Sequence, residues 1–465
     1  MKNKMVTLTQ IDAHYCKVDN VNEHQLLVWD ILSYEVNTRI PGKPGITKDT
    51  RSFLDRRGNK FPYGLVDFVT KKLNDEGYEV EINELKQYTK TIKTPKLNGI
   101  IFEDYQKNVI DIAGKYNRGI FVAGTGSGKS IISAGLIAKR DFPVTIITTI
   151  NKTIFKQLYE DFCKWFPDIE IGRVGDGYCE ISHITVGLYQ SFAKYDLRKF
   201  NNICEMWIAD EVHAAPKSLS KISAQLSKTH LRYGLSATPQ RIKNDKQKYF
   251  EMVGNIGPIL KELEDDVVKA RVVDCSVFMI NYVCDDPIGR SYHSVFREDI
   301  CCSVKRNTKL LKAAKMLALD KGKSVLFIVD EISQSVVVEK IAKKMGIVCK
   351  VAHGRKKSGV NDDIKKMLND KKIKLVIATA VMKTGTNIPS LDCLVLGSAR
   401  KSEISILQAI GRSRRTHEGK DKAIIIDSFD RVIGKKKYHR YFQEYSEGRL
   451  ELYQEKNWFR RKLLL

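Results

Sequence analysis

Lys129 and Ser130 close the stretch Gly119 to Ser130, GIFVAGTGSGKS, which carries the most specific chemistry in the chain. Ile120 to Val122 is the apolar ending of a buried strand, Ala123 to Gly128 is a loop, and Ile131 to Lys139 reads as a helix. Strand, glycine loop, Lys-Ser and helix in that order form a phosphate-binding loop. The glycines let backbone N–H groups turn inward around a polyphosphate, and the helix N-terminus adds favourable dipole charge. Gly124, Thr125, Gly126, Ser127 and Gly128 would cradle the phosphates of ATP. Lys129 would reach the β- and γ-phosphates, and Ser130 would hold Mg2+. The first glycine of the strict GxxxxGK[ST] pattern is here Ala123, which is small enough to make the turn.

A second apolar strand, Met206 to Ala209, runs into Asp210-Glu-Val-His213. A strand end places Asp210 toward Mg2+ through water, and Glu211 toward the attacking water as general base. Two adjacent acids on a solvated surface would carry no such meaning; the buried strand before them supplies it. Tyr233 to Pro239 repeats the pattern and brings Ser236 and Thr238 to a strand end, where hydroxyls can bridge an ATP site to a neighbouring domain. Gln106, upstream of the loop, has the donor and acceptor needed for both edges of adenine. Ile404 to Ile410 reads as a helix running into Gly411-Arg-Ser-Arg-Arg415, with Arg412 and Arg415 one turn apart. One face would then present two guanidinium groups as arginine fingers for a γ-phosphate, with Arg414 as a solvated helix end.

These groups need a scaffold that holds strand ends in a row. Val144–Thr148 and Ile184–Leu188 add strands to the first part of the chain. Ser324–Val329, Ile347–Ala352, Leu375–Thr379, Cys393–Leu396 and Ala423–Asp427 make a second set. Strands alternating with helices predict an α/β protein with parallel sheets covered on both faces. The expected divisions are an accessory α+β unit over 1–95, a first lobe over 96–262, a second over 263–432 and a basic aromatic tail over 433–465. In that tail Lys435–Lys437 and Arg460–Lys462 bracket Tyr438, Tyr441, Phe442, Tyr445, Tyr453, Trp458 and Phe459. The mixture suits phosphate neutralisation with base stacking, or equally a helix docked on the second lobe. Asp75, Glu84 and Lys86 loosely match a metal-nuclease spacing that charged segments reach by chance.

The balance of 79 Lys+Arg against 55 Asp+Glu, net +24, points to a polyanionic partner, nucleic acid first. No apolar run approaches the roughly 20 residues of a membrane span, and the N-terminus lacks the apolar core of a secretory signal. The 10 cysteines show no CxxC and no zinc spacing, which reads as reduced thiols in a cytoplasmic protein.

Taken in order, Gln106, AGTGSGKS at 123–130, DEVH at 210–213, SAT at 236–238, TGTNIP at 384–389 and QAIGRSRR at 408–415 resemble the superfamily 2 helicases. YGLSATPQR at 233–241 and VGNIGPIL at 253–260 look like the XPB/RecG-like branch. Within it the chain is similar to phage UvsW-type branched-DNA helicases, whose small N-terminal domain FPYGLVDFVTKKLNDEGYEVEI at 61–82 also resembles. The resemblance implies two RecA-like lobes with one ATP site in their cleft. Lys129, Ser130, Asp210 and Glu211 would come from the first, and Gly385, Gln408, Arg412 and Arg415 from the second. It implies that Gln106 reads adenine with Phe102 packed on the ring, and that Ser236 and Thr238 couple hydrolysis to movement. It further implies nucleic-acid contacts from Thr149, Lys152, Gln190 and Ser191, and from His353, Gly354 and Thr379. The implied activity is ATP-dependent unwinding and branch migration of forks, D-loops, R-loops and Holliday junctions in replication, recombination and repair. An RNA helicase or restriction motor is the first rival; DEVH in place of DEAD and the lack of a convincing nuclease motif weigh against it. A non-catalytic nucleic-acid-binding scaffold is the second; intact Lys129, Asp210, Glu211 and Arg415 weigh against that.

Overall fold

The computed structural model describes residues 5–19, 23–38, 47–85, 97–124, 127–150, 152–214, 216–236, 245–263, 272–355, 359–379, 388–397 and 403–463. The chain divides into two compact units, Met1–Glu264 and Asp265–Leu465. No helix among the described residues is long and apolar enough to cross a membrane.

The first unit opens with strands β1 (Met5–Gln10), β2 (Tyr15–Val18), β3 (Ser33–Thr38), β4 (Thr47–Ser52), β5 (Lys60–Pro62) and β6 (Glu79–Asn83). Four of them form a small sheet in the order β5-β2-β1-β6, and β3 pairs with β4 as a separate ribbon. The main sheet follows, from β7 (Arg118–Val122), β8 (Thr145–Thr149), β9 (Ile171–Gly175), β10 (Tyr178–Glu180), β11 (Ile184–Leu188), β12 (Met206–Asp210), β13 (Leu231–Ser236) and β14 (Ile259–Glu262). Its order is β10-β9-β11-β8-β12-β13-β7-β14, and only the β9–β10 pairing is antiparallel. Every residue of β8, β11, β12 and β13 is buried, as a parallel sheet with both faces covered requires. The register sets Val122 opposite Ser236, Leu235 opposite Asp210, Thr148 opposite Ala209, and Thr149 opposite Leu188. The carboxyl ends of five strands therefore form one edge, the edge at which open parallel sheets bind ligands.

The accessory part expected over 1–95 is fused to this lobe. One apolar core runs from Val6, Leu8, Val66 and Val69 into Phe250, Met252 and Ile256. Phe68 and Phe53 meet the Phe250 ring at 5.2 and 5.6 Å between centroids. A Cβ on Gly64 would lie 2.1 Å from the Val253 carbonyl oxygen, so this contact of backbones admits only glycine. Arg118 donates to the Ala13 carbonyl at 3.1 Å and to the Ile256 carbonyl at 2.7 Å, and His14 Nδ1 lies 2.7 Å from Ser223 Oγ.

The second unit is one parallel sheet of β15 (Asp274–Asp285), β16 (Val325–Ile328), β17 (Cys349–Ala352), β18 (Leu375–Ala378), β19 (Cys393–Leu396), β20 (Lys422–Ile433) and β21 (Phe459–Leu463). Its order is β17-β18-β16-β19-β20-β15-β21. The segment expected as a basic aromatic tail is part of this body. The helix His439–Glu455 is fixed by Arg449, whose Nε donates to Asp427 Oδ2 at 2.8 Å, and by Tyr453, whose hydroxyl donates to the same oxygen at 2.8 Å. β21 then pairs in parallel with β15. Of the two readings of the aromatic segment, docking is the one realised, because Phe442 and Tyr453 are buried and Trp458 and Phe459 pack on the core.

Burial, reinforced by Arg232, Arg118 and Lys60, pushes His14 down from its ordinary 6.5 to about 3. The unfolded chain therefore binds the extra proton between those values, and stability is lost as pH falls through that window, by at most about 1.4 kcal/mol per pH unit. His14→Asn, which keeps an acceptor for Ser223, is expected to flatten the decline of Tm below pH 6.5. A slope identical to that of the parent chain would remove His14 from this account.

Candidate nucleotide site and nucleic-acid face

The phosphate loop rests on the helix Asp104–Lys115. Gln106 is fully buried; its Oε1 accepts from the Glu103 N–H at 3.1 Å and its Nε2 donates to the Ser127 carbonyl at 3.0 Å. The Tyr105 hydroxyl donates to the same carbonyl at 2.8 Å. On the other side the Ala123 N–H donates to the Ser236 carbonyl at 2.8 Å. Gly128 caps the helix Lys129–Lys139 with φ 73 and ψ 42, and a Cβ there would stand 2.5 Å from Gln106 Nε2. Left-handed backbone and close approach both select glycine. Gln106 is thus a strut beneath the loop, one end of its carboxamide on the Glu103 N–H and the other on the Ser127 carbonyl. Phe102 packs on the same helix: a Cβ on Gly135 would be 2.9 Å from its ring. Thr125 and Gly126 lie outside the described residues.

Asp210 is the last residue of β12 and Glu211 follows it. Successive side chains of a strand point to opposite faces. Glu211 has φ 49, which breaks the alternation, and its Oε1 lies 3.1 Å from Lys129 Nζ. A non-glycine residue in that region costs roughly 1 kcal/mol, strain of the kind that functional sites hold. Asp210 is 9% exposed; its Oδ2 accepts from Thr149 Oγ1 at 3.4 Å and its carbonyl from the Tyr189 hydroxyl at 2.9 Å. Its Oδ1 has no hydrogen-bond partner among the described residues, and neither has the buried Ser127 hydroxyl. Burial first and the charge of Glu211 second push the Asp210 carboxyl up to about 7, against the pull of Lys129. Two crowded carboxylates, one with an unmatched oxygen, make a hard-oxygen donor set that fits Mg2+.

His213 completes the arrangement. Its Nδ1 is 2.9 Å from Ser236 Oγ and 3.4 Å from Glu211 Oε2, and burial lowers its pKa against the pull of Glu211, which favours the uncharged ring. The ring joins the acidic pair to the end of β13. In the sequence His213 is marked only by its place beside the acidic pair, and its partner Ser236 is 23 residues away. Thr238 lies outside the described residues.

The expected nucleic-acid residues separate into two groups. Thr149 is fully buried and donates to Asp210, so its side chain serves the nucleotide edge and not a nucleic-acid surface, a correction forced by its position inside β8. Lys152, Gln190 and Ser191 follow the neighbouring strands β8 and β11 and remain accessible. In the second unit His353 and Gly354 follow β17 and Thr379 follows β18. The Thr379 N–H donates to the Ala352 carbonyl at 3.1 Å, which sets the two strand ends side by side.

Gly385 lies outside the described residues, as do the side chains of Gln408 and Arg412, whose backbones belong to the helix Glu403–Ser413. That helix stops before Arg415, which forms an antiparallel bridge with Val272. Arg412 and Arg415 therefore do not share one helical face. The cause is Arg414: its carbonyl accepts from the Val273 N–H at 2.6 Å, its Nε donates to the Val273 carbonyl at 3.0 Å, and its guanidinium lies 4.9 Å from the Trp458 ring centre. It is a structural anchor and not a solvated helix end. Burial lowers the pKa of Arg415.

Residues 96–241 match the family described as type III restriction enzyme, res subunit, and residues 308–417 match the helicase conserved C-terminal domain. The ATP-dependent DNA helicase uvsW of Enterobacteria phage T4 is 26% identical over 405 residues, 79% of each chain. A relative from Sulfolobus islandicus filamentous virus is 26% identical over 342 residues, 66% of this chain and 60% of that one. The structure of S. cerevisiae Dbp5 bound to RNA and ADP BeF3 superposes with a TM-score of 0.51 at 14% identity, over 82% of this chain and 92% of that one, a likeness of fold. The chain belongs to the superfamily 2 helicases. In this helicase the loop, the acidic pair and the Ser236 strand end converge in the first unit, while the second brings His353 and Thr379 together at its own strand edge.

Lys129→Ala in the helicase is expected to lower ATP turnover by at least about 100-fold while oligonucleotide affinity stays within about twofold. Phosphate release and fluorescence anisotropy measure the two; wild-type turnover would sink the assignment. Gly128→Ala is expected to lose turnover as well, and to destabilise the chain by about 1–3 kcal/mol because backbone and Gln106 must both shift. Thermal denaturation checks this.

Proposed function

We propose that this protein is an ATP-dependent DNA helicase or translocase that unwinds and branch-migrates branched DNA in replication, recombination and repair. The observation that carries hydrolysis is the Lys129–Glu211 pair at 3.1 Å beside a buried Asp210. In this reading backbone N–H groups of Gly124 to Gly128 receive the phosphates, and Lys129 transfers its charge to them. Glu211, released from Lys129, accepts the proton of the attacking water. Ser130 and Asp210 would hold Mg2+, which would neutralise phosphate charge when bound. His213 relays the state of Glu211 to Ser236 and thence to Thr238. Gly385, Gln408, Arg412 and Arg415 act on the γ-phosphate.

Three things favour DNA, and branched DNA in particular. The chain carries a net charge of +24. The phage relative named as an ATP-dependent DNA helicase matches 79% of this chain. The small N-terminal sheet shares a core with the first lobe, so the motor moves the two as one piece. The test is ATP turnover with single strands, linear duplex, a fork, a four-way junction and an RNA duplex. Branched DNA is expected to stimulate most, and labelled junction arms to separate only with hydrolysable ATP. Equal or greater stimulation by RNA overturns the DNA assignment. Arg415→Ala is expected to bind nucleotide within a few-fold of the parent and to lose at least about tenfold in stimulated turnover; unchanged stimulation would remove its role as a finger.

A further inference from the structure

The β9–β10 hairpin turns on Asp176 and Gly177, with φ of 54 and 91, between Gly175 and its partner Tyr178. Asp-Gly with positive φ at both positions is the tight turn that matches strand twist. The hairpin is stiffened on its flank: the Arg173 guanidinium lies 3.5 Å from the Tyr178 ring centre and 4.8 Å from that of Tyr159, and its Nε is 2.8 Å from Glu180. A Cβ on Gly175 would be 3.1 Å from Ser191 Oγ, so the turn lies against the Tyr189–Phe192 helix. The carboxylate of Asp176 is consequently fixed in place. It receives Lys152 Nζ at 2.5 Å on one oxygen and Lys156 Nζ at 3.3 Å on the other. These lysines stand four apart on the helix Lys152–Trp165 and share one face. The acid is 18% exposed and the ammonium groups 68% and 58%. A preset, sheltered anion thus holds two mobile, solvated cations, the form of ion pair that exchanges partners easily. All of this lies at the strand edge that bears Ser191.

We propose that Asp176 is an internal counter-anion for Lys152 and Lys156 which a nucleic-acid phosphate displaces, and that this exchange sets the affinity of the first unit for single-stranded DNA. It rests on reading Lys152 and Ser191 as nucleic-acid contacts. The physical content is a substitution of anions. With Asp176 in place the three groups carry one net positive charge, and the lysines have little mobile counter-ion to release. A phosphodiester oxygen that reaches them must compete with the carboxylate, so weak, poorly placed strands are rejected, and strands held also at Gln190 and Ser191 succeed.

Asp176→Asn removes the charge, keeps the shape, and suits a left-handed turn that asparagine tolerates. Anisotropy of labelled oligo(dT) with the intact chain, over a salt series, is expected to give about two- to tenfold tighter binding at low salt and a steeper salt dependence. Weaker or unchanged binding overturns the proposal, since a carboxylate that merely orients the lysines would be missed when lost. Lys152→Ala with Lys156→Ala is expected to weaken binding and to abolish the gain from Asp176→Asn. If the double variant weakens binding but Asp176→Asn alone brings no gain, the proposal fails and the nucleic-acid face stands. If the double variant binds as tightly as the parent, the face itself is misread and the proposal falls with it.

Discussion

Two carboxylates and one ammonium share a nearly water-free corner at the end of β12, and the first unit is arranged to tolerate them. Like charges at close range in a low-dielectric setting cannot all be satisfied, and Asp210 shows it in a carboxyl raised to about 7. Each neighbour relieves part of that stress: Thr149 by a hydroxyl, Tyr189 by a bond to the backbone, Lys129 by charge, His213 by its ring nitrogen against Glu211. The residual imbalance is what gives the corner affinity for a cation and reactivity toward a phosphate. A fully paired set would be more stable and would have nothing left to offer a ligand.

Parallel register converts this local problem into an architecture. Because β8, β11, β12, β13 and β7 run in one direction and end together, each can deliver one short loop to the same edge. Gln106 then fixes the height of the phosphate loop from outside the sheet, and the Ala123–Ser236 bond fixes it from within. Among the described residues the amino-terminal sheet adds no group to that edge. It shares an apolar core with Phe250 and Ile256, which would otherwise face water.

The contiguous motifs were legible because their chemistry is local. A left-handed Gly128 and an acidic pair after a buried strand depend on residues adjacent in sequence, and so did the alternation that gave two parallel sheets. What escaped depended on neighbours that register supplies. Nothing adjacent in sequence ties Thr149 to the acids, and only the pairing of β8 beside β12 brings its hydroxyl to Asp210. His213 has a role only beside Ser236. Gln106 shows a donor and an acceptor in the sequence, but not that the helix cap and the phosphate loop each hold one end of its side chain. The run Arg412 to Arg415 looked like continuing helix because nothing nearby in sequence announces that Val272 and Val273 will draw it into extended pairing. The final aromatic segment was ambiguous for the same reason: stacking on bases and packing on a core call for the same residues.

The pairing of β15 with β21 bears on synthesis. β15 opens the second unit and β21 is its last described strand, so one flank of β15 stays bare while everything between them is made. Its other neighbour, β20, also emerges late. A twelve-residue strand of largely apolar residues with two unmet edges is a template for wrong partners. The second unit must therefore close late, by contacts between distant parts of the chain. The first unit, with its main sheet complete by β14, can be folded on the ribosome while the second is still a collection of waiting strands.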